Sequence, residues 1–268
     1  MEPIGVGRRI VRRNPHRIVG TISFPTLGNA DREWESVMER DAYAIIGYCS
    51  EVVGINTQPF SFTYELGTGK KATYTPDAQI LFKEGREVLL EVKPAIFALA
   101  DDEFERLSAI KRHCNLHGVG FDILTDLEIQ ANQVRLENIF LLRRFSSTMN
   151  LSEAAHLAAK ILGDYGPQTV NQLTDISGGA LSGQTIFSLI ADRRLSIDWG
   201  VPLTLNSKIW FSQTNPTNLS YGQLRAEAET NRLVGESALG CGKEIQRVMA
   251  LEKASRRPVL PPFAWGIG

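Results

Sequence analysis

Tyr74-Thr-Pro-Asp77 and, further along, Glu91-Val-Lys93 are the residues whose types and spacing can do chemistry. An aspartate follows a proline, a short hairpin intervenes, and a strand then carries Glu-x-Lys. Residues two apart share one face of a strand, so Glu91 and Lys93 point one way and Leu90 and Val92 point the other, into a core. Two carboxylates and one ammonium then converge at the edge of a sheet. Carboxylates hold Mg²⁺, the metal polarises a phosphate and acidifies a water, and an ammonium orients that water or offsets charge. The chemistry implied is metal-assisted phosphodiester hydrolysis. A bare Glu-x-Lys is also a common pattern for the solvent face of a hairpin; the Pro-Asp upstream is what gives it weight.

The turn near Lys83-Glu84-Gly85-Arg86 joins a strand over 78–82 to one over 87–93. A two-residue loop, Glu84-Gly85, pairs Asp77 with Val92, on the wrong face. A three-residue loop over 84–86, or a bulge at Gly85, pairs Asp77 with Lys93 and gathers the polar groups. This second register is the expected one.

The elements that must position these groups follow from the flanking pattern. Asp31 can cap a helix running to about residue 47, with Trp34, Val37, Met38, Ala42, Ile45 and Ile46 as its apolar stripe. Glu35 and Glu39 lie one turn apart on it, and either can serve as a further metal ligand. Strands are expected over 52–57, 61–66, 71–75 leading into 77–82, and 87–93, where Pro94 stops ladder pairing. A helix over 101–117, with Gly118 at C′, leads to a strand over 119–124 and a short strand over 139–142. Helix, strands, acidic hairpin, helix, strand is most economically packed as an α/β fold, a mixed sheet flanked by helices in three layers.

With these residues in place, the chain resembles the PD-(D/E)xK nucleases, the restriction-endonuclease-like fold. More narrowly, it is similar to TnsA, the endonuclease subunit of heteromeric bacterial transposases. The resemblance rests on Trp34-Glu-Ser-Val-Met-Glu39-Arg-Asp, Val53 with Gln58-Pro59, Tyr74-Thr-Pro-Asp77 and Glu91-Val-Lys93, and spans about residues 15–145. It implies that Asp77 is the metal-bridging carboxylate, Glu91 the second ligand and Lys93 the catalytic lysine. Glu39 is the helix ligand, with Glu35 as the alternative, and Gln58 lies near the site. Ala78 departs from the bulkier apolar residue usual after Pro-Asp. The resemblance further implies a Mg²⁺ (or Mn²⁺) cofactor and double-stranded DNA at transposon ends as substrate, cut at the 5′ ends. The implied partners are a DDE-type recombinase (TnsB-like) and an AAA+ ATPase regulator (TnsC-like), in the cytoplasm of a bacterium. Two alternatives are a stand-alone nuclease of the restriction, repair or junction-resolving kind and a non-catalytic DNA-bound scaffold.

The remainder divides into an arm, a second domain and a tail around a nuclease domain over 31–150. In the arm, 1–30, Arg8, Arg9, Arg12, Arg13, His16 and Arg17 cluster with no acid between Glu2 and Asp31, a composition suited to phosphate or minor-groove contact. Residues 151–215 read as helices over 152–162, from 169, and over 182–192 with a Ser182 cap, followed by strands over 195–198 and 208–211. This is a winged-helix-like pattern. Arg193 and Arg194 are its obvious phosphate binders, thin for DNA recognition, so protein docking is favoured. The tail, 216–268, offers helices at about 223–235 and 243–256 and ends in Pro261-Pro-Phe-Ala-Trp265. That end suits either a partner-binding peptide or a strap on its own domain.

Bulk properties bound the rest. A length of 268 residues suits two domains, or one domain with additions, and a net charge of −1 gives no global nucleic-acid signature. Cys49, Cys114 and Cys241 form no CxxC, which argues against a disulfide framework and for a reducing compartment. No apolar run reaches membrane-spanning length. Gly240-Cys-Gly-Lys243 is not a P-loop, and His113 and His117 lack the further ligands a zinc site needs.

Overall fold

The computed structural model describes residues 1, 3, 5, 6, 18–28, 30–98, 100–146, 150–212 and 219–224. The arm arginines 8, 9, 12, 13 and 17, and the tail helices apart from Gln223 and Leu224, lie outside the described residues. In chain order the elements are β1 (Gly5–Val6), β2 (Gly20–Ile22), β3 (Arg32–Trp34), α1 (Val37–Tyr48), β4 (Val52–Thr57), β5 (Phe60–Glu65), β6 (Lys71–Tyr74), β7 (Ala78–Phe82) and β8 (Glu87–Val92). Then come α2 (Ala95–Ala98), α3 (Asp101–Leu116), β9 (Gly120–Leu124), α4 (Asp126–Ile129), α5 (Gln133–Leu142), α6 (Ser152–Tyr165), β10 (Gln168–Thr169), α7 (Val170–Ile176), α8 (Gly183–Ala191), β11 (Leu195–Ile197) and β12 (Lys208–Phe211). They form two compact units, one built on Asn56–Ala131 and the other on Val19–Ile55 with Asn132–Gln223. The second unit is interleaved with the first in sequence.

The first unit is organised by a mixed sheet in the order β4-β7-β8-β9, of whose first strand Asn56 and Thr57 belong here. β7 and β8 are antiparallel; β8 and β9 are parallel, joined by the crossover helix α3. Helix α3 lies over the Leu89 face of the sheet, where Leu107, Ile110 and Cys114 join Phe62, Tyr74 and Phe121 in one core. Residues on both faces of β8 are buried, which is why Val-Leu-Leu-Glu-Val reads as a nearly continuous apolar run rather than an alternation. Glu91 is the exception in that run, a carboxylate only 8% exposed. The sheet edge that carries these polar groups is closed over by α3.

The hairpin has a three-residue loop, but its frame differs from the expected one. Phe82 donates to the Arg86 carbonyl (3.0 Å) and Gly85 to the Phe82 carbonyl (2.9 Å), so the loop is Lys83-Glu84-Gly85. Gly85 has φ 80°, the left-handed conformation glycine adopts without a Cβ clash. The register is Ala78↔Leu90 and Gln79↔Leu89, which carried one residue further sets Asp77 opposite Glu91, not Lys93. The difference is two residues, so the facing is unchanged: Asp77, Glu91 and Lys93 keep the same strand parity.

In the second unit two expectations are corrected. Residues 32–34 form strand β3, paired with β2, and α1 starts at Val37 rather than after Asp31. The start is set by Ser36, whose hydroxyl accepts the Glu39 N–H. Residues 139–142 are the end of helix α5, not a strand. The Asn132 side chain caps that helix at the Arg135 N–H (3.0 Å), and buried Leu136, Ile139 and Leu142 recur every three residues on one face. Further along, α6, β10, α7, α8, β11 and β12 follow one another as helix, strand, two helices and two strands. Their small antiparallel sheet has the order β10-β12-β11. Ser182 caps α8 through the Thr185 N–H.

Candidate active site

The end of β8 places Glu91 and Lys93, the residue before β7 places Asp77, and the last residue of β6 places Tyr74. Asp77 N–H donates to the Leu90 carbonyl (3.0 Å), and Asp77 Oδ2 accepts the Val92 N–H (2.7 Å). The carboxylate thus serves as acceptor where Pro76 interrupts the ladder, and this holds it beside Glu91. Glu91 Oε2 accepts the Tyr74 hydroxyl proton (2.6 Å). Burial first, then the charges of Glu91 and Asp77, push the Tyr74 phenol well above its ordinary range, so it stays a neutral donor. The register, which sets Asp77 opposite Glu91 with the same facing, is what brings the two carboxylates together.

Lys93 Nζ stands 3.6 Å from Glu91 Oε1 and is hydrogen-bonded to Glu103 Oε1 of α3. Arg106, one turn further on, grips Glu103 through Nε (2.8 Å) and Nη2 (2.7 Å) and reaches Glu91 Oε1 at 3.3 Å. Its guanidinium also lies 5.5 Å from the Tyr74 ring centroid. Hydrogen bonds from Arg106, reinforced by Lys93, hold the Glu103 carboxyl down at about 2. A depressed carboxyl stabilises the fold above its ordinary value of 4.5, and that contribution is lost as pH falls toward about 2. Acid-unfolding curves are therefore expected to show a shallower loss of stability for Glu103→Gln than for the parent across that window; identical slopes would contradict the pairing.

Gln58 is brought to the site by its backbone. Its N–H donates to the Asp77 carbonyl (2.9 Å), and its φ is 43°, a left-handed conformation rare for a residue with a side chain. Strain of about 1 kcal/mol at one residue fits a position whose geometry serves the site. Gln58→Gly is expected to melt at or above the parent temperature, and Gln58→Val lower, by about 1–2 kcal/mol of stability.

Glu35 and Glu39 are in the other unit. Glu39 is buried; its Oε2 accepts the Glu35 N–H (2.9 Å) and its Oε1 the Ser36 hydroxyl (3.0 Å). Ser36-Val-Met-Glu39 therefore works as a helix-start motif, which accounts structurally for the spacing in Glu-Ser-x-x-Glu. Arg193 is not a surface phosphate binder: its guanidinium donates to the Gly47, Ser50 and Val52 carbonyls at 3.0–3.2 Å. Arg194 pairs with Asp192 (2.7 Å). His113 stacks on Phe62, and the His117 ring is hydrogen-bonded to the His113 carbonyl.

Sequence reasoning gave Tyr74 no role and missed Glu103 and Arg106. A signal was there: Glu103-Phe-Glu-Arg106 sets an acid and a base one turn apart on the helix that follows Glu-x-Lys. Among the described residues no group of three acids, imidazoles or thiols could by itself hold a metal ion. The donors present are the Asp77 and Glu91 oxygens. They fit Mg²⁺ or Mn²⁺, which takes one or two carboxylates and fills its remaining positions from water and substrate phosphate.

A mixed α/β sheet flanked by helices fits a restriction-endonuclease-like core. Residues 49–126 match the family described as TnsA-like endonuclease N terminal (Tn7 TnsA-like). The match takes in Gln58, Tyr74, Asp77, Glu91, Lys93, Glu103 and Arg106, and stops short of Glu35 and Glu39. No curated protein matches the chain.

Proposed function

We propose that this protein is a Mg²⁺- or Mn²⁺-dependent DNA endonuclease of the transposase type, which cuts the 5′ ends of a transposon for cut-and-paste transposition. The observation that supports the reading is the placement of Asp77 opposite Glu91 on one strand face, with Tyr74 hydrogen-bonded to Glu91 and Lys93 beside it, inside the family-matching segment. Asp77 and Glu91 would hold the cation. Once bound, it supplies Lewis-acid polarisation of the scissile phosphate and an acidified water. Tyr74 fixes the Glu91 carboxylate by donating to one of its oxygens. Lys93 brings an ammonium to the same place, to orient the attacking water or offset charge on the phosphate. Glu39 is carried as a further ligand on the resemblance, with Glu35 as the alternative; loss of divalent-cation affinity in Glu39→Gln would assign it.

The arm arginines 8, 9, 12, 13 and 17 are proposed to contact DNA phosphates. Residues 151–215 are proposed as a winged-helix-like module, supported by the order of helices and strands from α6 to β12. With Arg193 and Arg194 engaged within the protein, that module is better suited to protein docking than to reading DNA. The partners proposed are a DDE-type recombinase and an AAA+ ATPase, with the tail a candidate docking segment. Strand-labelled DNA carrying the element's ends, incubated with Mg²⁺ with and without the recombinase, tests the reading. Nicking at 5′ ends that depends on the recombinase supports it; nicking of any DNA without a partner favours a stand-alone nuclease.

A further inference from the structure

Both oxygens of Glu91 are engaged by the protein's own donors. Oε2 accepts from Tyr74, while Oε1 has Arg106 at 3.3 Å and Lys93 at 3.6 Å. Arg106 is anchored there by its two-pronged grip on Glu103, which also holds Lys93. Among these five charged side chains three carboxylates, Asp77, Glu91 and Glu103, face two cations, Lys93 and Arg106. A divalent cation that comes to Glu91 therefore meets a guanidinium already on the carboxylate. Tyr74 poses no such conflict, because a neutral phenol donating to one oxygen leaves the carboxylate its charge.

We propose that Arg106, held by Glu103, is a positioning residue that competes with the divalent cation for Glu91 and so sets the metal affinity of the site. The inference rests on the metal-site reading above. Arg106 supplies part of the positive charge a metal would bring, which keeps the paired acids from repelling one another. A metal held by Glu91 would require Arg106 to give up Oε1, while its two bonds to Glu103 would remain. Site occupancy is thereby left to depend on further ligands, such as those a DNA phosphate supplies.

The sign of the effect separates this role from a merely structural one. Loss of a structural contact loosens the site and weakens metal binding; loss of a competitor strengthens it. The test is calorimetric titration of Mn²⁺ alone into the full chain, in the parent, Arg106→Gln, Arg106→Lys, Lys111→Gln and Asp77→Ala. Arg106→Gln is expected to bind Mn²⁺ at least about fivefold tighter than the parent, given one fewer cation in direct contact with a ligand. Arg106→Lys keeps the charge but not the fork that spans two carboxylates, so it is expected to fall between the two. Lys111→Gln removes a cation elsewhere on α3 and is expected to stay within about twofold of the parent.

Unchanged or weaker binding in Arg106→Gln, with Asp77→Ala still reducing affinity, would overturn the competition. Equal tightening in Lys111→Gln would do the same, by reducing the effect to net charge. Should Arg106→Gln unfold, Arg106→Lys decides alone: affinity at or below the parent's contradicts the proposal. Parent-like binding in Asp77→Ala is a different result, because it would remove the metal-site reading itself.

Discussion

Asp77→Ala is expected to lower Mg²⁺-dependent DNA cutting by at least about 10³-fold while the protein remains folded. The magnitude follows from the several kcal/mol that a bound metal supplies to a phosphoryl transition state, at 1.36 kcal/mol per factor of ten. The folding expectation follows from where Asp77 sits. It is half-buried, it lies at the bend that precedes β7, and its carboxylate accepts the backbone N–H of Val92. Loss of that bond costs about 1 kcal/mol, small beside the loss of a metal ligand. Glu91 differs, since its removal strands the buried Tyr74 hydroxyl and one side of Arg106. Glu91→Ala should therefore lose activity and stability together, which makes Asp77→Ala the cleaner probe. Circular dichroism and melting curves check the fold, and single-turnover cleavage reads the chemistry. Cutting within about tenfold of the parent by a folded Asp77→Ala would remove Asp77 from the site.

Arg193→Met is expected to destabilise the protein by about 3 kcal/mol and leave DNA affinity unchanged. Four donor contacts run from one guanidinium to the carbonyls of Gly47, Ser50 and Val52. Gly47 lies in the last turn of α1 and Ser50 and Val52 come just after it, where orphan carbonyls and the helix dipole favour a cation. The substitution leaves the carbonyls without this donor, at about 1–3 kcal/mol for a buried group, and loses charge-assisted bonds of similar worth. For a chain of this size the melting temperature should fall by roughly 5–10 °C. A variant that melts with the parent but binds DNA more weakly would restore Arg193 to phosphate contact.

Local chemistry was legible in the sequence where side-chain pattern and backbone need coincide. The strand over 52–57 lies where expected, and Ser182 caps α8. The facing of Asp77, Glu91 and Lys93 depends only on parity, so it survived a register that differs by two. The frame itself depends on which residue takes the left-handed position, and Gly85 fits two frames until the flanking strands choose one.

The start of α1 was misplaced because Asp31 and Ser36 are both good caps, and strand β3, which pairs with β2, claims the residues between them. The 139–142 segment is apolar and short, a pattern that suits a strand as well as the last turn of a helix; the Asn132 cap decides it. Arg193 reads as a phosphate binder because nothing local in the sequence shows that carbonyls more than a hundred residues away surround it. The Glu103–Arg106 pair was overlooked for a related reason. An acid and a base one turn apart usually form a solvated pair, and what makes these two different is Lys93 and Glu91, supplied by another element.

Strand-resolved cleavage tests the central claim most directly. DNA carrying the element's ends, labelled on each strand in turn, would be incubated with the parent protein, its recombinase partner and Mg²⁺, beside Asp77→Ala and a chelator control. The expected result is a nick at the 5′ ends that requires the metal and disappears in Asp77→Ala. Cutting that persists in the chelator, or in Asp77→Ala at the parent's rate, would contradict the assignment of Asp77, Glu91 and Lys93 as a metal-dependent DNA-cutting site.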